Sequence, residues 1–199
     1  MKKLALTFSL ILLCLAPQSA SAHQPVALKA SDKNPAVGPL LVDGTVSFAV
    51  NMNFTKANQI RAFRAGFNEG DPLALQLLIY DEQPEKNLSK KKLPLLKVTS
   101  PSGVSFTLPI TERTPFYEPW GKRNYLYLGR TKQSAEAGIY SFEIQSRAPG
   151  RFIVAVGERE VPGEVERHYI SPLSQPARTS FARSRNSGKS LSLFSPLIC

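Results

Sequence analysis

Between Gly138 and Gly157 the chain keeps a strict two-residue period. Tyr140, Phe142 and Ile144 alternate with Ser141, Glu143 and Gln145, and Phe152, Val154 and Val156 resume the pattern after Ala148-Pro149-Gly150. Alternation of this kind specifies extended strands with one buried face, and the Pro-Gly pair between them supplies turn chemistry. The stretch therefore reads as an antiparallel hairpin. Two strands cannot bury an apolar face by themselves, so the rest of the chain must provide further strands and a second layer.

Further strands are legible on both sides of it. Val46, Phe48, Val50, Met52 and Phe54 alternate with polar or small residues, and Leu73, Leu75, Leu77 and Ile79 do the same with a second face that is itself fairly apolar, marking a central strand. Residues 95–99 and 104–110 flank Ser100-Pro101-Ser102-Gly103 as a second hairpin, and residues 123–129 form another strand after a long loop over 111–122. The lead-in, residues 23–42, reads as extended chain interrupted by Pro25, Pro35 and Pro39. Over 55–70 the period changes: Ile60, Phe63 and Phe67 recur at helical spacing behind Thr55, which predicts one short helical insertion. The expected architecture is all-β, an antiparallel β-sandwich of about seven strands, immunoglobulin-like or jelly-roll, over residues 23–165.

The two ends have a different character. Lys2 and Lys3, the apolar run Leu4 to Leu15 and the small residues Ala20-Ser21-Ala22 predict a secretory signal peptide over 1–22, and hence a secreted or periplasmic protein that begins at His23 with no membrane-spanning segment in the mature chain. Of the two cysteines, Cys14 lies in the signal, so Cys199 is left without an internal partner and stability must come from core burial. Residues 166–199, rich in Ser, Pro and Arg, read as a disordered basic tail. The formal charge of the whole chain is +10, but residues 23–165 carry 18 basic and 14 acidic side chains, a net of only +4. That mild excess argues against nucleic acid as the partner.

The densest patch of aromatic and cationic residues is 115–127, PFYEPWGKRNYLY, with the single tryptophan. Tyr117, Trp120 and Tyr125 offer flat faces for a sugar ring while Lys122 and Arg123 offer cations, which makes these five residues the candidate ligand-binding set; the competing reading places Phe116 and Trp120 as a plug of the sandwich end. His23, as a new N-terminus, combines an α-amino group with an imidazole and is a candidate copper ligand, although His168 and Met52 are the only other soft or imidazole donors in the mature chain besides Cys199. Carboxylates gather at Asp81, Glu82 and Glu85 and at Glu158, Glu160 and Glu164, interleaved with basic residues as on a solvated surface. Lys90 to Lys92 form a short cationic run that suits a solubilising turn or a contact with phosphate or anionic polysaccharide. No nucleophile motif, metalloprotease motif or phosphate-binding glycine loop is present, so no catalytic residue is assigned.

The succession of Ser100-Pro101-Ser102-Gly103, a long aromatic loop, and Ala137-Gly138-Ile139-Tyr140-Ser141-Phe142 before a Val-rich strand resembles the β-sandwich accessory domains of secreted bacterial proteins, notably the pre-peptidase C-terminal type, over residues 72–157. The resemblance implies a non-catalytic module, and no cofactor is expected unless His23 binds copper. The expectation is accordingly a secreted binding domain for an envelope polysaccharide or protein, with a copper protein using His23 and a carboxylate-dependent hydrolase as the alternatives.

Overall fold

The computed structural model describes residues 23–167. They form twelve strands: β1 (Gln24–Ala27), β2 (Leu40–Leu41), β3 (Phe48–Phe54), β4 (Ile60–Phe67), β5 (Pro72–Tyr80), β6 (Leu95–Thr99), β7 (Ser105–Thr107), β8 (Thr114–Glu118), β9 (Arg123–Ser134), β10 (Gly138–Gln145), β11 (Gly150–Val156) and β12 (Val165–Glu166). Two six-stranded sheets result, ordered β1-β3-β11-β5-β9-β8 and β12-β2-β4-β10-β6-β7. The all-β, two-layer expectation holds. The count of about seven strands does not, because four of the additional strands are two to five residues long and too short to show a period. Nor is the pairing purely antiparallel: β1 runs parallel to β3, and β2 parallel to β4.

Two expectations are corrected. The predicted helical insertion over 55–70 is instead a turn followed by strand β4. Phe63, Ala65 and Phe67 enter the core on one face, and Arg61 occupies the same face at its end, where its guanidinium lies 5.3 Å from the centre of the Phe54 ring. A charged residue at a core position disguises the alternation, and Ala62, on the other face, is fully covered, its backbone N–H donating to the Asp32 carbonyl. The 138–157 segment does form two strands, but not a hairpin. β10 pairs with β4 and β6, whereas β11 pairs with β3 and β5 in the other sheet. Residues 146–149 carry the chain across the sandwich, and the Ser146 hydroxyl fixes the crossing by accepting from the Gln59 N–H at 2.9 Å and donating to the Lys56 carbonyl at 2.9 Å. The second predicted hairpin is real, since β6 and β7 pair around the 100–104 turn, with β7 confined to three residues.

The core lies between the sheets. Phe48, Val50, Phe54, Leu75, Leu77, Ile79, Phe152 and Val154 come from the first sheet, facing Phe63, Leu96, Val98, Phe142 and Ile144 of the second. Aromatic pairs tie neighbouring strands: Phe63 and Phe142, directly opposite in register, stack with centroids 4.5 Å apart, and Phe67 meets Tyr140 edge-on at 5.3 Å. Each such ring withdrawn from water stabilises the fold by roughly 1.5–3 kcal/mol, an upper estimate for a compact unfolded chain. β12 reaches Glu166, and Arg167 pairs with the buried Asp32 at 3.1 Å. The expected signal peptide and nearly all of the basic tail, including His168 and Cys199, lie outside the described residues. Among the described residues no helix is long and apolar enough to cross a membrane.

Candidate functional site

The outer face of the first sheet is unusually apolar. Strand alternation that sends Leu77, Val154 and Val156 inward necessarily sends Leu78, Ile153 and Ala155 outward, and these three form a second, smaller apolar cluster with Ala49, Tyr80, Phe116, Tyr125 and Tyr127. On β9 the same rule places Leu126 and Leu128 against the core and Tyr125 and Tyr127 outside. Register then brings Phe116 beside Tyr125 on the same side of the β8–β9 pair. The rings pack closely, with Phe116 5.1 Å from Tyr127 and Tyr80 5.0 Å from Tyr125.

A groove of about 340 Å³ runs over this face. Its floor is Ala49, Leu78, Ile153 and Ala155; His23 and Pro25 form one wall, and Phe116, Glu118, Trp120 and Gly121 the other. Residues of β1 and of β8 belong to opposite edges of the six-stranded sheet, so their meeting around one groove means that the sheet face is concave. Asn51 and Gln76 add amide groups to the lining. The turn over 119–122 is held by Glu118, whose carboxylate accepts from the Trp120 N–H at 2.8 Å and the Gly121 N–H at 2.5 Å. Lys122 completes the turn in the left-handed region, with φ 51°. Trp120 is thereby left 63% exposed at the lip.

The electrostatics are those of a partly dry cleft. Burial pushes the Tyr125 phenol up to about 12, with Tyr80 adding to the effect, and burial raises Tyr127 as well. Both hydroxyls stay protonated at ordinary pH and keep their donor capacity. Burial lowers His23, and Glu160 and Glu118 offset part of that shift. The ring is neutral near pH 7, and Nδ1 is engaged by the Ser47 hydroxyl.

The sequence candidates divide accordingly. Trp120, Tyr125 and His23 line the groove together. Tyr117, although 56% exposed, lies opposite Asn124 on the other face of β8 and is turned away from it. Lys122 and Arg123 do not line the groove; Arg123 pairs with Glu82 at 3.4 Å and stands over the Tyr80 ring at 5.7 Å. The reading of Phe116 and Trp120 as an end plug also changes: Phe116 is half-buried on the outer face and Trp120 projects into solvent. Phe116 and Glu118 join the site because 114–118, expected as loop, is a strand, and Tyr127 joins it from the outer face of β9.

Nδ1 is the imidazole nitrogen that closes a chelate ring with the residue's own amino nitrogen, and Met52 is buried in the core. Among the described residues no three His, Cys, Asp or Glu side chains gather as a metal-ligating cluster. Of the carboxylate groups, Glu82 and Glu85 pair with Arg151 and Glu158 with Lys132, while Glu118 is the one acid among the described residues lining the groove.

No family model matches the chain, and no curated protein matches it either. Among solved structures it is similar to PliG of Salmonella Typhimurium, a periplasmic inhibitor of g-type lysozyme, at 8% identity over 67% of this chain and 97% of that one, with a TM-score of 0.32. A β-glucosidase from Paenibacillus barengoltzii is similar at 12% identity over 72% of this chain, with a TM-score of 0.27; the match spans 14% of the length of that enzyme.

Proposed function

We propose that the domain is a secreted, non-catalytic binding module whose ligand docks in the groove on the outer face of the first sheet, and that the ligand is a sugar unit of an envelope polysaccharide. The observation that carries this reading is the exposed Trp120 at the lip of a concave face that also presents Tyr125, Tyr127, Asn51, Gln76 and Glu118. A pyranose has apolar C–H faces and an equatorial rim of hydroxyls, so aromatic planes with planar amide and carboxylate groups around them match both parts. Glu118, the single carboxylate lining the groove among the described residues and already occupied by two backbone N–H groups, supports binding rather than paired-acid hydrolysis.

Trp120 is the chain's one tryptophan and reports on its own site. Titrating the protein with oligosaccharides released from peptidoglycan and from lipopolysaccharide should shift its emission saturably for one of them. Trp120→Ala should weaken binding, measured calorimetrically, by about tenfold or more, the scale of a lost aromatic anchor, while Tyr117→Ala leaves it intact. Equal affinity of the Trp120→Ala variant and the parent for every saccharide bound would overturn the assignment.

The aliphatic floor favours a second reading, in which a partner protein inserts an apolar side chain between Leu78 and Ile153. Under that reading no free saccharide shifts the emission, and Ile153→Lys abolishes capture of a protein partner.

A further inference from the structure

The cationic run Lys90 to Lys92 does not sit on a loose loop. It forms a 3₁₀ turn, preceded by another over Glu85–Asn87, and both are clamped by arginines from loops distant in sequence, Arg113 just before β8 and Arg147 in the crossing between β10 and β11. The Arg113 guanidinium donates to the carbonyl of Lys86 at 2.7 Å and to that of Leu88, and Arg147 donates to the carbonyls of Leu93 and, at 2.9 Å, of Lys90. Leu93 below is fully buried and anchors the segment. The two turns and their clamps carry six positive charges, Lys86, Lys90, Lys91, Lys92, Arg113 and Arg147, with all four lysines exposed. None of the six makes an ion pair among the described residues, because the nearby acids are taken by other arginines: Glu82 and Glu85 by Arg151, Glu112 by Arg130.

We infer that this surface, built on residues 85–93, docks an anionic polysaccharide. The residue types select the partner. Four of the six charges are lysines, compact and strongly hydrated, and the two arginines spend guanidinium N–H groups on carbonyls, so the surface offers point charges rather than free bidentate forks. Such an array suits a chain of spaced sulfates, phosphates or carboxylates rather than one phosphate held by two parallel bonds. Single-stranded nucleic acid calls for aromatic planes between the cations, and the exposed aromatics among the described residues, Tyr117 and Trp120, lie at and beyond the far end of β8 from Arg113. A lipid surface calls for apolar side chains inserted among the charges, and all four lysines stand in polar turns. None of the six lines the groove, so the surface stands independently of the saccharide reading above.

The test uses the full chain and dextran sulfate, with neutral dextran as its counterpart. The parent should bind dextran sulfate with an affinity that falls steeply with salt and should ignore dextran. A triple substitution, Lys90→Glu, Lys91→Glu and Lys92→Glu, should weaken binding by about tenfold or more and flatten the salt dependence, with the basic C-terminal residues contributing equally to both proteins. The Trp120→Ala variant should retain the parent's affinity, which separates this surface from the groove. The three lysine side chains are exposed, so the melting temperature should not move; a Lys86→Gln/Lys91→Gln variant gives a second, smaller step in affinity. Unchanged binding by the triple variant, equal binding of neutral dextran, or tighter binding of poly-dT or phosphatidylglycerol vesicles at the same salt overturns the proposal.

Discussion

At the scale of single residues, Glu85 shows how a polar group is accommodated in an otherwise apolar interior. Its side chain is 2% exposed and accepts from the Arg151 backbone N–H and from the guanidinium Nε and Nη2, each at 2.9 Å. Those bonds from Arg151 hold its carboxyl below the usual glutamate range against the opposing effect of burial. Arg151 also lies 4.4 Å above the Tyr80 ring and reaches Glu82, so one guanidinium joins the polar corner of the sandwich to the aromatic end of the groove. Removing Glu85 leaves a backbone N–H and most of a guanidinium without partners. Glu85→Ala is therefore expected to cost about 2–3 kcal/mol, less than a fully buried pair because Arg151 is partly solvated. Urea denaturation measures the loss, and the double variant Glu85→Ala/Arg151→Ala should recover part of it. A single-variant loss below about 0.5 kcal/mol, the level of an exposed pair, would show that water replaces the contact.

At the scale of elements, the β8–β9 hairpin does most to define the site, and it also marks where the sequence stops being informative. Strands of seven to nine residues such as β3, β5, β10 and β11 are readable because each repeats its inward residue at least three times. What the period does not carry is the partner: Tyr140, Phe142 and Ile144 face Phe152, Val154 and Val156 across the core, a relation that has the same alternation as a hairpin. β8 is illegible for a different reason, since Pro115 and Glu118 interrupt a five-residue strand at a sheet edge. The groove floor was half visible, in that Leu78 and Ile153 are apolar at outward positions, but their convergence depends on sheet curvature, which no local pattern encodes. The hairpin's turn depends on Glu118 bonding the Trp120 and Gly121 N–H groups. Glu118→Ala releases both to solvent. The expected outcome is faster amide exchange over 119–122 and lower steady-state anisotropy of the Trp120 emission, with little change in melting temperature because the turn is exposed. Unaltered anisotropy would mean that Lys122 and the strand ends alone fix the tryptophan.

For the whole molecule, ionisable groups placed in the groove, at the polar corner and along the sheet edges together set the pH range over which the sandwich is stable. His23 is lowered from an ordinary 6.5, so folding favours its neutral form; its contribution is complete above that value and is lost as pH falls through 6.5 toward the folded value. Asp43, lowered from 3.8 by Thr45 and Arg159 despite burial, and Glu85 and Glu112, lowered from 4.5 chiefly by Arg151 and Arg130, contribute above those values, and their share disappears as pH falls through the still lower values in the fold. Tyr125 acts in the opposite sense. Raised from 10.0 to about 12 by burial, it is ionised in the unfolded chain first, so stability declines as pH climbs between those values, and Tyr127 adds to the decline. The melting temperature should therefore be level between about pH 7 and 9.5, fall gently below 6.5, fall steeply below 4.5, and fall again above 10. Each limb has its own origin and can be removed separately. His23→Asn should abolish the gentle step that begins below pH 6.5 and leave the acid limb in place, whereas Tyr125→Phe should blunt only the alkaline limb. A gentle step that survives in His23→Asn would locate it elsewhere in the chain and would remove the evidence that the groove wall is closed enough to keep the imidazole neutral.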